Sequence, residues 1–209
     1  TESIVWFVDG ADYVSLSTTN SIAYPMATQS WMRVTGGFRG IKIGGSGVEV
    51  RRVEAADNTR YGIQCLGPSV SDVLIENVLA HGHSDPTFGA GIQVSSSVNV
   101  TIRNCTIANN GRYGVWLRFD SSTVLSNNII CADGAGDYAV AVDTTVLGMM
   151  SDYNLLSVTN DAMLATFGGQ DQETLTEWRE STTQGQHSFV RDPLFVDAVG
   201  GNLHLSSQG

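Results

Sequence analysis

The feature that most constrains this chain is a repeat. Gly40-Ile41-Lys42-Ile43, Gly62-Ile63-Gln64-Cys65, Gly91-Ile92-Gln93-Val94 and Gly114-Val115-Trp116-Leu117 nearly superimpose, and Ala139-Val140-Ala141-Val142 continues the series, at steps of 22, 29, 23 and 25 residues. A second marker runs beside it. Val73–Asn77, Val100–Asn104 and Thr123–Asn127 each end on asparagine, and Met149–Asp152 ends on aspartate, at steps of 27, 23 and 25 residues. Two markers sharing one period of this length signify stacked supersecondary units.

Each unit reads as a short strand, a turn, a second strand ending in Asn, and a Gly-rich turn. Apolar and polar residues alternate within the strands, the period of half-buried β-structure. One unit cannot bury its apolar face alone, whereas a stack of them makes a continuous cylinder. The expected fold is therefore all-β, a single-stranded parallel β-helix of about five to seven coils with a short C-terminal cap. Asn tolerates left-handed backbone angles and bonds nearby backbone, so the recurring Asn is expected to form a turn ladder.

Composition agrees. The chain is 42% hydrophobic and 15% charged, with 23 Gly and 4 Pro, which suits a β-rich protein with a polar, weakly charged surface. A net charge of -10 argues against a nucleic-acid or anionic-membrane partner for the molecule as a whole. Lys42 is the one lysine among 11 basic residues, so cationic sites are mainly arginine, which favours bidentate recognition of carboxylates. Cys65, Cys105 and Cys131 lie far apart in strand-like contexts and are expected to be reduced thiols acting as small hydrophobes. No run is apolar enough to insert in a membrane as a helix. The start at Thr1-Glu2-Ser3, without initiator Met or signal peptide, reads as a processed or excised piece of a longer protein.

The whole chain is expected to be one domain. Residues 1–39 are irregular N-terminal coil, with strands at 4–8 and 13–16 and an earlier coil opening at Trp31–Val34. Residues 40–156 form the regular coils and 157–209 a terminal coil and cap. A short helix over Glu173–Ser181 is expected to lie over the end of the solenoid, where an open sheet edge would invite aggregation.

Gly40–Leu156 resembles the right-handed parallel β-helix repeat family, related in fold to pectate lyases. Ser151-Asp152-Tyr153-Asn154-Leu155-Leu156, Thr174–Trp178, Gln186-His187-Ser188 and Asp192–Asp197 are similar to the C-terminal end common in secreted bacterial members. Those members usually continue beyond a final strand, here Asn202–Leu205, into a Ser-Pro-rich closing segment. The resemblance implies an extracellular, periplasmic or cell-surface protein that acts on or binds a polysaccharide, with no cofactor required and Ca²⁺ admissible. Further domains of a longer chain are expected partners.

If Ile41, Ile63, Ile92, Val115 and Val140 face inward, Lys42, Gln64, Gln93, Trp116 and Ala141 form an outward row. Gly44, Leu66, Ser95, Arg118 and Asp143 form a second row, edged by Arg39, Arg60-Tyr61, Arg112-Tyr113 and Asp137-Tyr138. Aromatic planes stack on sugar rings, amides bond hydroxyls and arginine forks grip carboxylates. The resemblance places the sugar groove on this sheet. The expected binding residues are Trp116, Gln93, Gln64, Arg112 and Arg60, although ordinary solvated strand residues would read the same way.

The 29-residue step holds a further candidate. Its extra length falls largely between Asn77 and Gly91, and insertions in a solenoid emerge as loops where function concentrates. His81, His83 and Asp85 are candidate metal ligands or an acid–base set. They compete with a plain polar loop.

Three readings follow. The first is an enzyme, a lyase or a hydrolase, on an acidic polysaccharide, with Lys42, Arg118, Tyr113 and His83 as candidate catalytic groups. The chain has neither the Arg-x-Pro-x-x-Arg of many pectate lyases nor the Asn-Thr-Asp and Asp-Asp pattern of polygalacturonases. The second is a non-catalytic carbohydrate-binding or adhesin-like module. The third is a purely structural segment. The fold hosts all three.

Overall fold

The computed structural model describes residues 32–119 and 122–206 and the backbone of the short strands Ser3–Ile4, Val14–Leu16 and Ser21–Ala23. Val14–Leu16 and Met32–Thr35 are strands as expected, whereas 5–8 and Trp31 lie outside the described residues.

Each coil passes through three sheets in turn. Arg39–Ile43, Tyr61–Leu66, Ala90–Ser95, Tyr113–Arg118, Tyr138–Val142 and Met163–Phe167 pair in parallel in the first sheet. Glu49–Arg51, Ser71–Glu76, Val98–Arg103, Val124–Ser126 and Met150–Asp152 form the second. Val53–Ala56, Leu79–His81, Thr106–Ala108, Ile129–Asp133, Leu155–Thr159 and Phe189–Val190 form the third. Five successive coils therefore run 39–56, 61–81, 90–108, 113–133 and 138–159. The strand Met32–Thr35 extends the third sheet ahead of them.

The expected inward row is one ladder in the first sheet, with Ile41 opposite Ile63, Ile92, Val115 and Val140 in turn. Two residues on, Ile43, Cys65, Val94, Leu117 and Val142 repeat the pattern. With Val50, Ile75, Ile102 and Leu125 of the second sheet and Ala55, Ala80, Ile107 and Ile130 of the third, they fill a continuous buried core. Each fully buried Ile or Leu removed from water contributes about 1.5–3 kcal/mol.

Glycine recurs at 40, 62, 91 and 114 because successive coils approach too closely there for a side chain. A methyl group built on Gly40 or Gly62 would sit 2.5 Å from the carbonyl oxygen of Gly62 or Gly91 respectively. The space these glycines leave is filled by polar side chains of the neighbouring corner: Asn58 over Gly40, His83 over Gly62 and Asn110 over Gly91.

The Asn marker has a backbone cause. Asn77, Asn104 and Asn127 have φ of 52°, 55° and 56°, the left-handed turn that Asn tolerates. In the next coil this position is Tyr153 (φ 58°) and not Asp152, because Asp152 pairs with Ser126. These turn residues are exposed, so they are not the hydrogen-bonded ladder. That ladder lies one residue later and inside. Asn128 accepts the Cys105 N–H at 3.0 Å and donates its own N–H to Asn154 Oδ1 at 3.0 Å, and Asn154 donates its N–H to Ser188 Oγ at 3.0 Å.

The expected short helix is present near the C-terminal end, starting two residues later and ending one residue later than Glu173–Ser181. The helix Leu175–Thr182 begins with a capping box, in which Glu177 N–H donates to Thr174 Oγ1 (3.2 Å) and Thr174 N–H donates to Glu177 Oε2 (2.9 Å). Trp178 enters the core at 2% exposure, edge-on to Phe167. A hairpin of Phe195–Asp197 and Asn202–Leu205 then folds back over the outside of the third sheet, where Leu203 is buried and Asn109 Nδ2–H donates to the Ala198 carbonyl.

Candidate functional site

The outward row lies where strand alternation puts it. Lys42, Gln64, Gln93, Trp116 and Ala141 pair in register across the first sheet. The row is not a bare surface, however. Gln64, Gln93 and Trp116 are only 4%, 2% and 7% exposed. Gln64 Nε2–H donates to Gln93 Oε1 beneath a covering layer, while Gln64 Oε1 is buried there with no hydrogen-bond partner among the described residues.

That layer is aromatic and guanidinium. Tyr113 stacks on Trp116 with ring centroids 4.5 Å apart, Tyr138 stacks with Tyr113 at 6.0 Å, and Phe88 stacks with Trp116 at 6.3 Å. Arg118 lies 4.5 Å over the Trp116 ring, Arg60 lies 4.2 Å over Phe88, and Arg112 spans Tyr113 (5.7 Å) and Tyr138 (5.3 Å). Arg39 adds Phe38 and Tyr61 at the other end. Each such contact is worth about 0.5–1 kcal/mol where exposed and about 2 where dry. Together they make a second apolar cluster on the outside of the sheet, separate from the core.

Phe88 reaches this face on the long coil's extra loop. Asp85 Oδ1 accepts the N–H groups of Thr87 (2.9 Å) and Phe88 (3.1 Å), a local turn that fixes the loop, and Asp85 Oδ2 accepts from Arg60 Nε at 3.1 Å. Against the raising effect of its partial burial, those N–H donors and Arg60 hold the Asp85 carboxyl below its usual range. At the other end of the layer Arg118 Nε donates to Asp143 Oδ2 at 3.0 Å. Burial pushes the Tyr61 and Tyr138 phenols up, the Asp171 carboxylate adding to this at Tyr138, so both stay uncharged near neutral pH. Between these groups lies a shallow cleft of about 430 Å³ lined by Pro86, Thr87, Phe88, Arg112, Tyr113, Trp116 and Arg118. That is within the usual size range of ligand sites.

The structure brings Tyr113, Trp116 and Arg118 together on one strand, with Arg112 immediately before it, and sets Arg60 beside them through Phe88. It does not assemble the four candidate catalytic groups. Lys42 is three strands from Trp116 in the ladder, about 14 Å at the ordinary strand spacing. His83 is fully buried on the core side. Its Nδ1 accepts the Asn58 N–H at 3.2 Å, and its Nε2 has no hydrogen-bond partner among the described residues. Burial, with His81 nearby, pushes its pKa down to about 3, so the ring is neutral.

The proposed metal trio is also dispersed. His81 Nε2 faces Glu54 Oε1 at 3.1 Å in the third sheet, His83 is inside, and Asp85 is with Arg60 on the first-sheet face. Among the described residues no cluster of three or more His, Cys, Asp or Glu is placed to hold a metal ion. Cys65 and Cys105 are buried and Cys131 is half-buried, and no disulfide joins any of the three.

Sequence reading missed Phe88 as a member of the site. Its loop was legible as an insertion, but no periodicity says where an inserted loop folds.

In comparisons with known proteins, no curated protein matches the chain. Among solved structures, the crystal structure of an alginate lyase from Paenibacillus sp. str. FPU-7 is similar at 18% identity and a TM-score of 0.43, covering 69% of this chain and 52% of that one. The chain thus spans about half the length of that enzyme, and a likeness this distant says nothing about its chemistry. Residues 17–148, well over half of the chain, match the family described as "Right handed beta helix region". The chain belongs to the right-handed β-helix family.

Proposed function

We propose that this protein is a glycan-binding β-helix module, and that the outer face of the first sheet around the Phe88–Tyr113–Trp116 cleft is its binding surface. The observation that carries the reading is the stacked aromatic and guanidinium layer itself. Flat rings edged by planar donors suit the apolar faces and hydroxyl rims of sugars. Its partly exposed members are Phe88, Arg112, Tyr113 and Arg118, with the buried Trp116 stacked against Tyr113. Binding is favoured over turnover because the four candidate catalytic groups are not gathered in the cleft: His83 is engaged in the interior and Lys42 stands three strands away, leaving Tyr113 and Arg118. An extracellular or cell-surface setting belongs to the same proposal.

Affinity electrophoresis in gels containing a panel of neutral and acidic polysaccharides tests it. The wild type is expected to be retarded by at least one polymer. Arg112→Ala and Tyr113→Ala should each weaken that binding about tenfold, or about 1.4 kcal/mol, while far-UV circular dichroism shows both variants folded. Absorbance of unsaturated uronates should not develop on incubation with alginate or pectate. Retardation by none of the panel removes the reading, and accumulating unsaturated product removes its non-catalytic part.

A further inference from the structure

The arginines of this face look, one by one, like sites for carboxylates, yet the structure has already supplied carboxylates to Arg60 and Arg118. Arg60 Nε donates to Asp85 Oδ2 at 3.1 Å while its plane lies on Phe88. Arg118 Nε donates to Asp143 Oδ2 at 3.0 Å while its plane lies on Trp116, and Trp116 Nε1–H points at the other Asp143 oxygen at 3.5 Å. Arg112, between Tyr113 and Tyr138, has Asp137 within its field. Arg39 and Lys42 have interactions of their own.

We propose that the glycan bound here is neutral and rich in hydroxyls, and that Asp85 and Asp143 are the residues that set this specificity. The inference rests on the glycan-binding reading of the same face. A uronate carboxylate only accepts hydrogen bonds, and to reach Arg60 or Arg118 it must come up beside a fixed aspartate of the same sign. A hydroxyl both donates and accepts. It can give its proton to a remaining lone pair of Asp85 or Asp143 and take one from a remaining guanidinium N–H, so the Arg–Asp pairs match a hydroxyl rim on both counts. The apolar side of the sugar then lies on the exposed parts of Phe88 and Tyr113. The net charge of -10 acts in the same direction at longer range, disfavouring the approach of a polyanion.

The experiment compares the folded wild type with the Asp85→Asn, Asp143→Asn double variant by affinity electrophoresis. Gels contain laminarin or glucomannan on one side and pectate or alginate on the other, at low and high salt. Far-UV circular dichroism and thermal unfolding confirm that the variant is folded. The wild type is expected to be retarded by a neutral polymer at least about tenfold more strongly than by either polyuronate, with little change on adding salt. The double variant should lose about tenfold in neutral-glycan affinity and gain retardation by pectate, because the arginines are released. Wild-type binding to a polyuronate in preference to the neutral polymers overturns the inference and leaves the glycan-binding reading standing. Unchanged neutral binding by the double variant overturns the role of the two aspartates. Retardation by no polymer of either kind overturns the glycan-binding reading itself.

Discussion

His83 Nδ1 accepts the backbone N–H of Asn58 at 3.2 Å, which makes the imidazole a rung in a ladder otherwise built from asparagine. Asn58 Oδ1 accepts the Gly37 N–H at 3.1 Å, and Asn110 Oδ1 accepts the His83 N–H at 3.4 Å. The side chains of Asn58 and Asn110 also donate from Nδ2, to the Val34 and Ala80 carbonyls. Each rung thus satisfies the backbone of a neighbouring coil at a corner where sheet pairing stops, which buried polar groups require. Three residues in successive coils perform the same task, and one of them is histidine.

His83→Asn should therefore keep the rung and cost little, whereas His83→Ala should destabilise by about 1–3 kcal/mol through unsatisfied backbone groups. Urea unfolding of the two variants at neutral pH measures the difference. Equal losses would mean that the ladder is not what His83 serves.

The same histidine gives a pH signature. Its folded pKa is about 3 against an ordinary 6.5, so the unfolded chain binds more protons between those values. The stability contributed by the neutral ring is present above about pH 6.5 and is lost as pH falls towards 3. The loss has a slope of up to about 1.4 kcal/mol per pH unit. Unfolding free energies at pH 7 and pH 5 should fall more steeply for the wild type than for His83→Asn. Parallel pH profiles would contradict the buried neutral ring.

Gly91→Ala should destabilise the solenoid by about 1–3 kcal/mol. The new methyl would run into Ile107 Cγ2 and lie 2.9 Å from both Asn110 Nδ2 and the Gly114 carbonyl oxygen. Ala139, at the equivalent place two coils later, is native and buried. Ala139→Gly should cost only about 0.5–1 kcal/mol, mainly through backbone entropy. Thermal unfolding of the pair checks this asymmetry.

The capping helix separates into a strong and a weak contribution. Trp178→Ala removes a large side chain from the core end and should cost about 3–5 kcal/mol. Thr174→Ala removes one cap hydrogen bond and should cost about 1 kcal/mol. If both variants unfold together with the wild type in urea, the helix does not close the core.

Cys105 and Cys131 should be inert in the native protein. Burial pushes both thiols up to about 12, the Asp192 carboxylate adding to this at Cys131, so little thiolate exists at pH 8. A chromogenic disulfide reagent should titrate neither until the chain is unfolded. Rapid native labelling of Cys131 would show that the C-terminal segment lifts away from the third sheet.

The coil, its period and the sidedness of its strands were legible in the order of residues alone. Gly40, Gly62, Gly91 and Gly114 marked one corner because backbone packing admits nothing larger. Asn77, Asn104 and Asn127 marked another because their turn needs a left-handed residue. Both constraints are local, so they are written at fixed spacing. Strand alternation likewise placed Lys42, Gln64, Gln93 and Trp116 on one face. What alternation does not contain is what comes to lie on that face. Phe88 arrives from an inserted loop and helps to cover Trp116, and Asp85 and Asp143 meet Arg60 and Arg118 across 25 residues of chain in each case. His83 became a ladder rung only because coiling set it between Asn58 and Asn110, 25 and 27 residues away. Those relationships depend on which coil stacks on which and on the path of one loop, and only the tertiary structure decides either.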